Sequence, residues 1–553
     1  MVEMETDKLV WPQVALDAVT ERDSRIPASF RLAPSFIANY PPGIDVRPAA
    51  AESGLMSAEE LDITNLNQDA VSILARIKSK EFTAVRVVLA FAKRAAIAHQ
   101  LLSCLSDFFL EDALVRAQEL DDYYQKTGEV VGPLHGLPIS MKDHIYLAGR
   151  RSTAGFSGDI LQPPAEEHGH LAQILHDAGA VFYVKTNLPQ SIMHLETYSF
   201  WGQVLNPLNT KLTPGGSSGG CSALIAFGGS PLSVGSDIGG SLRSPAAACG
   251  IWTLKPTTLR IPRGATAAQP GTDSILSTFG PLSRSLRDID LWFGVVLGAQ
   301  PWIREYNLVP IPWKIPTVPK WSGSDGRLRI GVMWHDGVVV PQSPIRRALK
   351  TLVEALKKDS TFEIVDYEPY KHFEAGELAH ELYFVDGGTR IRERAAVTGE
   401  PVLPLTEWVI TRPSVKDHTT HELWELNVRR EALRTEYLEY YNTQNVDVIL
   451  CPVGAGPAPA LGTCKYWGYT NVWNFVDYPA AVFPTGLYCH PAMDVEVTVR
   501  AYMSEADKDN ADNYNPATFS GAPLCLQLVS RRFHDEIVVK ALQEISQVLP
   551  LAD

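Results

Sequence analysis

Two clusters of glycine and serine constrain this chain more than any other feature: Gly215-Gly216-Ser217-Ser218-Gly219-Gly220 and Ser236-Asp237-Ile238-Gly239-Gly240-Ser241. Each interrupts an apolar run, and Ser217 and Ser241 stand 24 residues apart. Glycines let backbone approach backbone, so such text belongs in tight loops between packed elements. Gly-rich loops ahead of helices can cradle phosphate, but no GxxxxGK precedes a Ser or Thr and no GxGxxG opens a strand–turn–helix unit, which leaves a nucleotide reading weak. A flexible turn accounts for GGSSGG alone; it does not account for the second cluster.

The flanking text alternates. Val88, Phe91, Ala92 and Ala95, then Ala113, Ala117, Leu120 and Tyr124 before Gly128, carry helical spacing and predict two helices ahead of a first strand, LPISMK at 137–142. A helix at 169–179, a strand at 181–186, a helix at 221–227 and a strand at 231–236 follow. Further on come the strands LRIGVMW, FEIVDY and VDVILCPV, a charged helix at 420–443 and a closing strand–helix pair from 523. This rhythm predicts an α/β fold: one large mixed twisted β-sheet covered by helices on both faces. Residues 57–553 form that domain, with 330–440 as a helical, peripheral subregion or second lobe. Residues 1–56, rich in Pro and Ala, are expected to be an N-terminal extension with limited structure.

The 49 basic against 63 acidic residues give a net charge of -14, which repels a phosphate backbone and argues against a nucleic-acid partner. Seven cysteines without a CxxC pair suit a reducing compartment. No basic-then-apolar leader opens the chain and no apolar run approaches about 18 residues, so a cytoplasmic protein without a membrane span is expected.

Ser241 closes an Asp-x-Gly-Gly run whose successive N–H groups can converge on one oxygen, the arrangement of an oxyanion hole. A nucleophilic serine needs a base. G-x-S-x-G is absent around Ser217 and Ser241, which lowers the case for a Ser–His–acid triad. Lys142 is the other candidate: it ends the strand GLPISMKD, where desolvation would lower its pKa from about 10.4 toward neutrality. The bland reading of that lysine is a snorkelling side chain or an ion pair with Asp143.

Taken together, GPLHGLPISMKD, PGGSSGGCSALIA and GSDIGGSLRSPAAACG resemble the amidase signature family. AFAKRAAIAHQL, AGAVFYVKTNLPQS, PYKH and YTNVWNFVDYPAAVFPTG resemble its fungal acetamidase and fatty acid amide hydrolase branch, over residues 57 to the C-terminus. The resemblance implies Lys142 as the ultimate base, Ser217 in a cis peptide as proton shuttle and Ser241 as nucleophile of an acyl-enzyme. It implies an oxyanion hole from the N–H groups of Ile238, Gly239, Gly240 and Ser241, with Ser218, Asp237 and Arg243 in support. Ile192, Met193 and Trp473 fall where similar enzymes line the acyl pocket. No metal or other cofactor is implied; the partner is a small-molecule amide, and analogy implies a homodimer.

The expected activity is therefore hydrolysis of linear uncharged carboxamides to acid and ammonia or amine, with ester or carbamate hydrolysis, or hydrolysis of a specialised secondary-metabolite amide, as alternatives from the same chemistry. The apolar text Ile192, Met193, Tyr198, Phe200, Trp201, Trp473 and Phe475 favours a hydrophobic or aryl acyl group. An amidotransferase subunit acting with a partner and tRNA fits the net charge poorly, and a catalytically idle scaffold fits the retention of Lys142, Ser217 and Ser241 poorly. Cys221, Thr253 and Leu259 depart from the family pattern, which bears on the loops behind the nucleophile and on the substrate. His168 and His170 lie among acids but lack HxxxH spacing, and His135 and His144 bracket the Lys142 strand in structural positions.

Overall fold

The computed structural model describes residues 10–264, 266–268, 271–496 and 500–550. Eleven strands make one sheet: β1 (Leu105–Phe108), β2 (Pro138–Lys142), β3 (Val181–Thr186), β4 (Leu232–Asp237), β5 (Trp252–Lys255), β6 (Thr278–Ser283), β7 (Leu328–Val332), β8 (Phe362–Asp366), β9 (Val448–Pro452), β10 (Ala480–Tyr488) and β11 (Pro523–Val529). Their spatial order is β1-β3-β2-β4-β6-β5-β10-β11-β9-β7-β8. The β3-β2-β4 and β9-β7-β8 neighbours run parallel; the remaining pairs are antiparallel, so the sheet is mixed as predicted.

β2, β3 and β4 are buried along their whole length, which is why they read as near-continuous apolar text rather than as an alternating pattern. The Ala-rich helix Ala84–Leu102 starts where the Thr83 side chain accepts from the Arg86 N–H, and it buries 13 of its 19 residues against the sheet layer. Helix Gly219–Phe227 starts within the first glycine cluster, at its last two glycines. A Cβ on Gly220 would stand 2.5–2.6 Å from backbone atoms of Asn187 and Cys104, so only glycine lets this helix start against the end of β3.

Four expectations are corrected. Strand β1 lies between the two helices that were predicted to precede the first strand; it pairs antiparallel with β3. The N-terminal segment is not short of structure: it contains the helix Trp11–Ser24, whose Arg22 donates to the Leu105 carbonyl at 3.0 Å and whose following residue Arg25 pairs with Asp107. Its buried Val46, Ala49 and Ala50 belong to the main core. The 330–440 region is no separate lobe at its start, because β7 and β8 extend the same sheet beyond β9. The strand at 523–529 does not close an edge; it sits between β10 and β9, where a long-range pairing that local pattern cannot announce places it. Among the described residues, no helix is long and apolar enough to cross a membrane.

Candidate active site

Lys142 occupies the C-terminal end of β2, and β4 runs parallel beside it with Met141 opposite Val234. That register brings Ser236 to Lys142. Lys142 Nζ donates to Ser236 Oγ at 3.1 Å and lies 2.7 Å from Ser217 Oγ. The side chain is fully buried, and among the described residues it has no ion pair with a carboxylate. Burial pushes its pKa from the ordinary lysine range down to about 7. The ion pair with Asp143 that the sequence allows does not form: Asp143 Oδ1 faces Lys185 Nζ at 3.4 Å instead.

The peptide bond Gly216–Ser217 is cis. Ser217, Ser236 and Ser241 line one cavity of about 90 Å³. The two glycine clusters are joined by the Ser218 N–H, which donates to the Ser241 carbonyl at 3.1 Å. Ser218 Oγ also sits 3.4 Å from both the N–H and the carbonyl of Ser236, so this serine ties loop to loop.

The Ser241 loop is braced from below. Asp237 accepts from the Gly240 N–H at 2.8 Å, the Leu242 N–H at 3.0 Å and two nitrogens of Arg243 at 3.0 Å each. Arg243 also donates to Thr470 O and Asn474 Oδ1. Burial would raise the Asp237 carboxyl, but the Arg243 guanidinium overrides it and holds it well below the usual carboxylate range. Of the four N–H groups that the resemblance implies for an oxyanion hole, that of Gly240 is committed to Asp237. The tyrosine hydroxyl of Tyr383 donates to the Ile238 carbonyl at 2.6 Å, and Thr470 Oγ1 to the Gly239 carbonyl at 2.7 Å. Because C=O and N–H point oppositely across a trans peptide, the first of these aims the Gly239 N–H away from Tyr383, and the second turns the Gly240 N–H toward Asp237. A Cβ on Gly240, at φ +131°, would fall 2.4 Å from Thr470 Oγ1.

Ile192 and Met193 do line the cavity, with Phe156, Ile275, Leu382 and Phe384. Ser191 and Ile192 hold φ values of 66° and 64°, a left-handed turn that a β-branched residue rarely adopts. Trp473 is a correction: it is fully buried in a second core, edge-on to His372 and Tyr437 at 5.4 and 6.2 Å, and does not line the cavity. Phe475 is core, Trp201 donates to Asp143 Oδ2, and Tyr198 is exposed, so the apolar stripe dissolves into separate roles. Cys221, Thr253 and Leu259 also stand outside the lining; Thr253 Oγ1 is spent on the Pro281 carbonyl at 2.7 Å. His144 lines the cavity and stacks on Phe279 at 5.6 Å, with burial holding its ring neutral. His170 Nδ1 lies 2.8 Å from Glu305, His168 Nδ1 accepts from the Ala148 N–H and His135 Nδ1 from the Val131 N–H, and none of the three lines the cavity of Ser217 and Ser241.

Sequence reasoning missed Ser236, Tyr383, Phe384 and Thr470. Ser236 carried a signal, its place in the second cluster. The others arrive from more than 140 residues downstream and have none. A larger cavity of about 450 Å³ is lined in part by Thr470 and Ser244 and by none of Lys142, Ser217 and Ser241.

A buried lysine thus lies beneath two serine-bearing glycine loops, on a mixed sheet covered by helices. The chain belongs to the amidase signature family: the family model described as Amidase matches residues 86–539. A relative in Schizosaccharomyces pombe, itself only provisionally named an amidase, is 43% identical over 98% of this chain and 99% of its own. The acetamidase of Emericella nidulans is 33% identical over 98% of each chain. The solved structure of a fatty acid amide hydrolase superposes with a TM-score of 0.91 at 34% identity, covering 99% of this chain and 98% of that one. The protein is an amide-hydrolysing enzyme.

Proposed function

We propose that the chain cleaves linear carboxamides to an acid and ammonia or an amine through an acyl-enzyme on Ser241, with Ser217 and Lys142 as the proton relay. The observation that carries the reading is the environment of Lys142. A lysine buried with two hydroxyls and no carboxylate, its pKa lowered to about 7, is in large part neutral at and above that pH, and the neutral amine can accept a proton from Ser217. Ser217 then takes the proton of Ser241 as Ser241 Oγ attacks the carbonyl carbon. The developing oxyanion meets the N–H groups left by the Asp237 brace. The relay runs back to protonate the leaving nitrogen, the C–N bond breaks, and water repeats the sequence to release the acid.

A cavity of about 90 Å³ with Ile192, Met193, Ile238 and Phe384 on its walls supports a small, uncharged group beside the scissile carbonyl. The acetamidase name of a relative supports the same scale. All seven cysteines are unpaired and buried, which supports the cytoplasmic reading. The test is covalent: a fluorophosphonate should label Ser241, and a slow substrate should leave an acyl mass on the same serine. Labelling of another serine would overturn the assignment.

A further inference from the structure

Among the described residues, the walls of the catalytic cavity carry two arginines, Arg263 and Arg394, and no carboxylate. Arg394 is matched: Nε donates to Asp159 Oδ1 at 2.8 Å and Nη2 to the Ala267 carbonyl at 2.9 Å. Arg263 is not. It is half-buried in the segment between β5 and β6, and its backbone N–H donates to Glu305 at 3.2 Å. Among the described residues its guanidinium makes no hydrogen bond and no ion pair. Lys142, whose pKa burial lowers to about 7, carries only part of a positive charge at neutral pH and does not line this cavity. In a chain of net charge -14, the cavity thus faces the substrate with one uncompensated guanidinium, whose planar fork fits a carboxylate with two parallel hydrogen bonds.

We propose that Arg263 is a specificity-determining residue, binding a carboxylate that the substrate carries apart from its scissile amide. The inference rests on the proposed role of this cavity as the catalytic site. The apolar walls at Ile192, Met193 and Phe384 leave a charge next to the carbonyl unmatched, whereas one that reaches Arg263 is paired. The carboxylate belongs to the acyl part, as in the monoamide of a dicarboxylic acid, or to the amine part, as in an N-acyl amino acid.

The experiment compares kcat/KM for the monoamide of hexanedioic acid with that for hexanamide, and for N-hexanoylglycine with that for N-ethylhexanamide. It uses the wild type, Arg263→Gln, Arg263→Lys and Arg304→Gln, the last removing an exposed charge outside the cavity. In the wild type one acid should exceed its uncharged counterpart by about 10-fold or more. Arg263→Gln should erase that ratio, Arg263→Lys should keep part of it, and Arg304→Gln should keep it whole. A wild type that prefers both uncharged amides, or an Arg263→Gln protein that retains the ratio, would overturn the inference. Calorimetric titration with hexanedioate decides the matter without turnover: binding at least about 10-fold weaker in Arg263→Gln supports it. Equal or undetectable binding to both proteins overturns it. Failure of fluorophosphonate to label Ser241 would instead strike the proposed chemistry and leave the titration to judge Arg263.

Discussion

Lys142 and Lys185 lie on adjacent parallel strands, one residue out of register, and both are fully buried. Burial alone therefore does not make a base. Lys185 Nζ has acceptors that suit an ammonium ion: the Arg151 carbonyl at 2.7 Å, Ser152 Oγ at 2.5 Å and the Asp143 carboxylate at 3.4 Å. Burial pushes Lys185 down and Asp143 up, and each charge pulls the other part of the way back. Among the described residues Lys142 has only Ser217 and Ser236, hydroxyls that can donate as well as accept. The pair around Lys185 fastens β3 to the loop after β2; the trio around Lys142 suits the proposed proton relay.

The sharpest way to break this contrast is to delete each lysine. Lys142→Met should lower kcat by several orders of magnitude, as should Ser241→Ala, with denaturant midpoints close to wild type; steady-state kinetics and urea melts check both. Lys185→Met should do the reverse. It strands the buried Asp143 carboxylate and should cost about 3–5 kcal/mol in the same melts, while turnover per fluorophosphonate-titrated active site stays near wild type. Equal damage to activity from both substitutions would erase the distinction.

A titration sharpens it further. Protonated Lys142 cannot accept from Ser217, so kcat/KM should fall about 10-fold for each pH unit below about 7 and level off above it. The same group affects stability. Its folded pKa lies below its unfolded value, so between pH 7 and about 10.4 the unfolded chain binds the extra proton and stability gains with rising pH. Lys142→Met should flatten that part of the stability curve, which melts at pH 7 and pH 9.5 would show. The smallest effect belongs to Ser236→Ala: losing one hydrogen bond to Lys142 should reduce kcat about 2- to 10-fold and move the pH midpoint, with KM little changed.

Much of the sheet was legible because β2, β3, β4 and β7 to β9 are local apolar runs between turn signals. β1 was not, since LSDF has little strand character of its own and is held by pairing with β3 and by the N-terminal helix. Lys142, Ser217 and Ser241 were legible as residue types in tight text. Trp473 was misplaced because an aromatic side chain has the same appearance in sequence whether it faces a cavity or a core.

The sequence by itself determined the chemistry that could be present: two glycine-permitted loops, each carrying serines, and a lysine in an apolar strand. Those are local properties, fixed by which backbone conformations and buried side chains a short stretch tolerates. Only the tertiary structure decided how that chemistry is tuned. Strand register set Ser236 against Lys142 and Asp143 against Lys185. Tyr383 and Thr470, from distant helices, turned the Ile238 and Gly239 carbonyls and so assigned the Gly240 N–H to Asp237. Proton affinity and hydrogen-bond direction depend on what lies within a few ångströms in space, and folding brings that together from parts of the chain that share no local pattern.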